Sequence, residues 1–261
     1  MKTVFVQTNS IMALGIAASL MAIKQPCIFW NPQTKSFFDM VDELKPDVIV
    51  VTQEHLANDS QLALAMKNFD EAKKIVCLET AIKTQWSQIS LDCADVLCDW
   101  TLIEPAANVA QFSHGKRVEG YDSDVFYFSD QPASPVIMKV LANCANKYKL
   151  KIVGPHSLPL IQFLGQADLS TVCDFMVSTK VAIDYRDRHI MDYRFNDILS
   201  IPAESLDAIE LDKCINSSQY RTKRMKLHQS VKDKTYFHNI AKIFPELSTI
   251  ALEKIKSINN E

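Results

Sequence analysis

The chain has 261 residues, of which 48% are apolar, and a formal net charge of −3. That length holds one large domain or two of ordinary size, and the apolar fraction excludes an intrinsically disordered chain. The longest uncharged apolar run, from Ile11 to Ile23, is too short to span a bilayer, and no cleavable leader is read ahead of it, so a cytoplasmic protein is expected.

In chain order, short β-branched or aromatic runs at 3–7, 27–30, 47–52, 74–78 and 95–98 predict strands. They lack strict alternation, as parallel strands buried on both faces do. Helical patterns at 11–23, 35–44 and 60–68 lie between them, with Asn9 or Ser10 as the N-cap of the first. Lys45-Pro46-Asp47 stops a helix and feeds a strand. Strands separated by helical lengths imply right-handed βαβ crossovers.

The stretch 104–123, with Pro105, Gly115 and Gly120, has the breakers of a linker. The rhythm then restarts. Strands are predicted at 125–128, 150–153, 180–184 and 198–201, and helices at 135–148, 168–176 and 190–196, with Pro135 in a first turn. From Leu206 the chain reads helical, with breaks near Asn216 and at Pro245. The fold expected is therefore α/β with two Rossmann-like domains facing a central cleft and a helical C-terminal end. The first domain is placed at 1–118 and the second at 119–245, with a last helix at 246–261 packing back on the first.

Seven cysteines include no CxxC pair, and Cys27, Cys77, Cys98, Cys144 and Cys173 lie in or beside apolar runs, so they read as small buried residues. Only five glycines are present and no GxGxxG loop, which argues against a dinucleotide site. No metal ligand set is expected, and no cofactor.

Ligands of open α/β sheets sit outside the carboxyl ends of the strands. The residues to inspect there are Asn9 and Ser10 after the first strand, Glu54 and His55 after the third, Ser129 after the sixth and His156 after the seventh. Glu54 and His55 are candidates for a general base on an acceptor hydroxyl. The densest polar cluster runs from Asp184 through Arg186, Asp187, Arg188 and His189 to Arg194, preceded by Lys180. Arginines beside a strand end suit phosphate, although Asp184, Asp187 and Asp192 can equally pair with them. Arg221, Lys223, Arg224, Lys226, Lys232 and Lys234 form a basic run that reads either as one solvated helix face or as a polyanion patch.

Several segments in the second half resemble the C-terminal domain of GT-B glycosyltransferases, and within them the CgeB-like group. Ser178-Thr179-Lys180-Val181-Ala182-Ile183-Asp184 is similar to that group's S-S-K-I-x-L-N strand, and Arg194-Phe195-Asn196 to its R-x-F-E segment. Lys234-Thr235-Tyr236 is similar to an H-T-Y segment. The chain departs from the pattern at Asn196, where the group has a glutamate for the donor ribose, and in lacking the Gly-rich turn that follows. The resemblance implies a glycosyltransferase moving a sugar from a nucleotide sugar to a hydroxyl acceptor. Lys180, Arg186, Arg188, Arg194, Asn196, His156 and Ser129 would hold the donor, and Asn9, Ser10, Glu54 and His55 would face the acceptor. A modified base in DNA is one acceptor that the basic run from Arg221 to Lys234 would suit. The alternative is a catalytically inactive binding or interaction protein on the same scaffold.

Overall fold

A computed structural model describes residues 1–8, 10–77, 101–103, 105–113, 115–129, 132–154, 168–184, 189–203, 206, 208–216 and 227–260. Two compact units divide the chain, one made of Met1–Ala106 with Tyr236–Glu261 and the other of Ala107–Thr235.

The first unit opens with β1 (Thr3–Val6), α1 (Ile11–Ala22), β2 (Cys27–Trp30), α2 (Phe37–Leu44) and β3 (Val48–Thr52). It continues through α3 (Gln53–Asn58), α4 (Ser60–Lys67), β4 (Lys73–Cys77) and β5 (Thr101–Ile103). The five strands are parallel in the order β2-β1-β3-β4-β5. Every residue of β1 and β3 is buried, which is why these strands read as unbroken apolar runs. Each early helix starts on a side chain that accepts an orphan backbone N–H. Ser10 accepts from Ala13, Ser36 from Asp39, Thr52 from His55 and Asp59 from Leu62. The fifth strand lies at Thr101–Ile103, paired with β4. The strand expected at 95–98 lies outside the described residues.

The second unit holds α5 (Val109–Phe112), β6 (Ser123–Phe128), α6 (Pro135–Ala145), β7 (Leu150–Val153), α7 (Leu169–Val177) and β8 (Thr179–Asp184). It ends with α8 (Ile190–Phe195), β9 (Leu199–Pro202), α9 (Ala208–Asn216) and α10 (Leu227–Val231). Its four strands are again parallel, in the order β7-β6-β8-β9. Alternate residues of β6 and β8 enter two separate cores. Val125, Tyr127, Val181 and Ile183 join Leu141 and Leu211 on one face, while Phe126 and Ala182 join Val172, Phe175 and Tyr193 on the other. Each large side chain so buried stabilises by about 1.5–3 kcal/mol, and helices on both faces supply that burial.

Both domain boundaries expected from the sequence, 118/119 and 245/246, fall elsewhere in the structure. The first compact unit ends at Ala106, because α5 packs on α7 and α8 and so belongs with the second sheet. The chain returns to the first unit at Tyr236, ten residues before the expected last helix. There α11 (Tyr236–Ile243) packs on α1, and α12 (Ser248–Asn260), which buries Ala251, Ile255 and Ile258, packs on α11. The handover is marked by a bridge between Ala107 and Thr235, where the Ala107 N–H donates to the Lys234 carbonyl at 2.9 Å.

Gly15 is what lets α11 approach α1. A Cβ at this position would fall inside van der Waals contact of the buried Tyr236 ring. Alanine is favoured over glycine in a helix by about 1 kcal/mol, but overpacking a closed core costs about 1–3 kcal/mol. Gly15→Ala is therefore expected to lower the unfolding free energy in a urea titration. A variant at or above wild-type stability would show that Tyr236 does not pack there.

Candidate functional site

The carboxyl edge of the first sheet is built by the turns after β1 and β3, which are neighbours in the sheet. The Ser10 N–H donates to Thr8 Oγ1 at 3.0 Å, so the turn into α1 is closed by its own side chains. Thr52 both caps α3 and lies 2.7 Å from His55 Nδ1. His55 is half-buried and interacts with the Gln7 backbone at the end of β1. Ser10 and His55 thus come to the same sheet edge from two loops. Glu54 is on that edge too but is exposed, and Asn9 lies outside the described residues.

Burial holds the His55 pKa below its ordinary 6.5, opposed by the charges of Glu54 and Asp59 and by the Gln7 backbone. The folded chain then takes up its proton at lower pH than the unfolded chain does. His55 accordingly contributes stability above pH 6.5 that is lost as pH falls from 6.5 through the folded pKa. His55→Gln is expected to flatten the fall in urea-midpoint stability across that window, and an unchanged pH profile would refute the shift.

At the carboxyl edge of the second sheet, Ser129 is buried and its N–H donates to the Val153 carbonyl at 3.2 Å. His156, Arg186 and Arg188 lie outside the described residues. Beyond β8 the described residues form a compact polar cluster. The His189 N–H meets both oxygens of Asp184, at 3.1 and 3.2 Å. His189 Nδ1 is 3.0 Å from Asp192 Oδ2, and Asp192 Oδ1 accepts the Asn108 N–H at 2.6 Å. Asp184, His189 and Asp192 are all buried. The adjoining Tyr193 hydroxyl is buried without a hydrogen-bond partner among the described residues. Burial, then Asp184 and Asp192, then Tyr127 push its ionisation well above the usual phenol range.

Two expected donor ligands have other employment. Lys180 is at the amino end of β8, where its Nζ is 2.6 Å from Asp124 Oδ1 at the start of β6. It therefore sits at the opposite end of the strand from Asp184, which corrects its placement beside the arginine loop. Asn196 caps α8 and donates its amide to the Phe112 carbonyl at 2.6 Å and the Asp192 carbonyl at 2.9 Å. Arg194 is half-buried on the same helix. Asp122-Ser123-Asp124 has D-x-D spacing, a pattern of acidic residues that can serve a metal. However, Asp124 also accepts the Lys149 N–H at 3.0 Å, so its carboxylate is held at the amino edge. Among the described residues no group of three or more His, Cys, Asp and Glu side chains is arranged to hold a metal.

Of the basic run, Arg221, Lys223, Arg224 and Lys226 lie outside the described residues, while Lys232 and Lys234 are exposed at the end of α10. The thiols of Cys77, Cys144, Cys173 and Cys214 are buried, and burial pushes Cys144 up to about 11 and Cys173 up to about 12. Among the described residues no helix is long and apolar enough to cross a membrane.

The glycosyltransferase SnogD from Streptomyces nogalater is structurally similar over 93% of this chain and 98% of its own, with a TM-score of 0.55 and 8% identity. The fold is GT-B. A Listeria monocytogenes protein assigned as a UDP-N-acetylglucosamine 2-epimerase is similar over 92% of this chain and 93% of its own, with a TM-score of 0.50 and 9% identity. No family model matches the sequence, and no curated protein does. At such identity the GT-B scaffold is shared while the side chains on its edges are this chain's own.

His189 and Asp192 were visible in the sequence only as members of a charged run. The signal that sets them apart is an i, i+3 spacing at the start of a short helix, which folds them onto one side of it. Asp192→Ala would strand the Asn108 N–H and the His189 ring, each at a cost of about 1–3 kcal/mol. A clear loss in urea-unfolding free energy is expected, and wild-type stability would mean that these contacts are not made.

Proposed function

We propose that this chain transfers a sugar from a nucleotide-sugar donor to a hydroxyl acceptor. The observation that carries the reading is the GT-B likeness to a glycosyltransferase, which spans nearly the full length of both chains. The CgeB-like segments at Ser178–Asp184 and Arg194-Phe195-Asn196 add to it, since they fall on β8 and α8 of the second unit.

On this reading the second unit takes the donor. Arg186, Arg188 and Arg194, with His156 and Ser129, are the groups for its diphosphate and nucleotide. Cationic groups there favour the transition state over the ground state, because the leaving diphosphate gains charge. Lys180 is left out of this set by its position at the amino edge. Asn196 spends its amide protons on two backbone carbonyls, and its Oδ1 keeps the capacity to accept from a ribose hydroxyl. The first unit takes the acceptor beside Asn9, Ser10, Glu54 and His55. A nucleic-acid acceptor would engage the basic run ending at Lys232 and Lys234. The enzyme would work in the cytoplasm, with the nucleotide sugar as substrate and no separate cofactor.

The engagement of Lys180 and Asn196 in structural contacts favours the second reading, a catalytically inactive binding or interaction protein on the same scaffold. Thermal unfolding with a panel of nucleotide sugars tests both. A donor at a hundred times its Kd is expected to stabilise by about 2.7 kcal/mol, and Arg188→Ala to abolish the shift. If no member of the panel shifts the transition, the donor reading is wrong. If one does but free nucleotide never accumulates, even with acceptors supplied, the chain binds without catalysis.

A further inference from the structure

Strand β2 is the outer strand of the first sheet and pairs with β1 alone. The Gln7 N–H donates to the Trp30 carbonyl at 2.7 Å, and Trp30 stands opposite Val6. In a parallel ladder the N–H and C=O of one residue point to the same side, and the side alternates along the strand. Ile28 and Trp30 therefore face β1, while Cys27 and Phe29 turn their backbone groups outward. No described residue is hydrogen-bonded to the backbone N–H or C=O of Phe29.

The side chains on that flank are apolar and open. Phe29 is 44% exposed, with its ring stacked on Phe5 at 5.4 Å. On α1, Leu14 and Met21 are 38% and 52% exposed and share one stripe with Ala17, at i, i+3 and i+7. The Cys27 Sγ is 3.8 Å from the Ala17 carbonyl, which sets that stripe beside β2. Single exposed apolar side chains are ordinary, but several gathered along an unpaired strand mark an interaction site. Edge strands are usually guarded by a cover, a charge or a proline. In the second sheet, β7 is buried along its whole length and β9 carries Ser200 and Pro202. Within β2 itself there is neither charge nor proline, and from Thr3 to Thr34 the sole charged residue is Lys24.

We propose that β2 pairs antiparallel with β2 of a second copy of this chain, across a twofold axis at Phe29. A twofold sets each residue near the axis against its own copy, so a charge there would meet its like, and a neutral strip is what such a join requires. A foreign strand is commonly steered and selected by charge, which this strip does not offer. The axis also makes the two Phe29 residues a hydrogen-bonded pair, each N–H donating to the other's carbonyl, which uses the groups that β1 leaves. Five strands from each copy then form one sheet of ten. Phe29, Leu14 and Met21 of both copies fall on the same face of it, where they cover one another. The carboxyl edges of the two first units point in opposite directions, so the turns holding Ser10 and His55 lie at opposite ends of the joined sheet. The join does not depend on the glycosyl-transfer reading.

Sedimentation velocity on the full chain, from about 1 to about 100 μM, brackets the micromolar end of protein interfaces. A concentration-dependent dimer is expected, whereas a monomer throughout overturns the proposal and leaves the strip to a foreign partner. Phe29→Lys puts like charges across the axis and is expected to raise the dimer Kd by roughly 10-fold or more. A folded Phe29→Lys protein that dimerises like wild type overturns the proposal. If that variant does not fold, Met21→Glu on the exposed stripe of α1 takes its place with the same two outcomes. Amide hydrogen exchange on the wild-type chain locates the join: Phe29 is expected to exchange more slowly at high concentration, and Ile28, turned to β1, at the same rate at both. Equal exchange of Phe29 at both concentrations, in a chain that dimerises, places the contact elsewhere and overturns the proposal.

Discussion

Two-sided burial of parallel strands is the constraint on which the rest of this structure depends. A parallel strand needs a crossover to return to the same sheet edge, and the crossover helices must cover both faces. In β6 and β8 consecutive residues therefore enter different cores: Val125 and Tyr127 one, Phe126 the other. With both faces closed by helices, the strand ends are what remain for chemistry. The polar residues that mattered on reading the chain lie mostly in those end loops.

The carboxyl edges of the two sheets are equipped differently. On the first, a hydroxyl holds a histidine, and burial favours its uncharged form. On the second, Asp184 accepts the His189 backbone N–H with both oxygens and Asp192 faces its ring. Asp192 does double duty. Its carboxylate fastens the segment that enters the second unit, through Asn108, and also fixes the ring of His189. One buried carboxylate therefore holds both the entering segment and the ring of His189, so its removal loosens the two together.

The sequence exposed the strand–helix alternation because strand periodicity and helix capping are local. Ser10, Thr52, Asp59, Ser134 and Asp168 each accept an N–H three residues on, and such pairs can be found by reading forward along the chain. The domain boundaries were harder. Pro105, Gly115 and Gly120 look like a linker, yet α5 lies among them and packs on α7 and α8. The C-terminal return was read too late for a similar reason. What places Tyr236 in the first unit is the space above Gly15, more than 200 residues earlier.

The sequence alone determined the α/β class, the doubled architecture and the loops worth inspecting, because each follows from patterns spanning a few residues. Tertiary structure decided what the polar side chains in those loops do. Lys180 and Asp184 are four residues apart on one strand, yet one pairs with Asp124 at the amino end while the other grips His189 at the carboxyl end. Asn196 matched a ligand position by spacing, but its amide is bound to Phe112, 84 residues away. Charge and hydrogen-bonding capacity can be read from residue type. Which partner satisfies them depends on which strand ends the fold brings side by side.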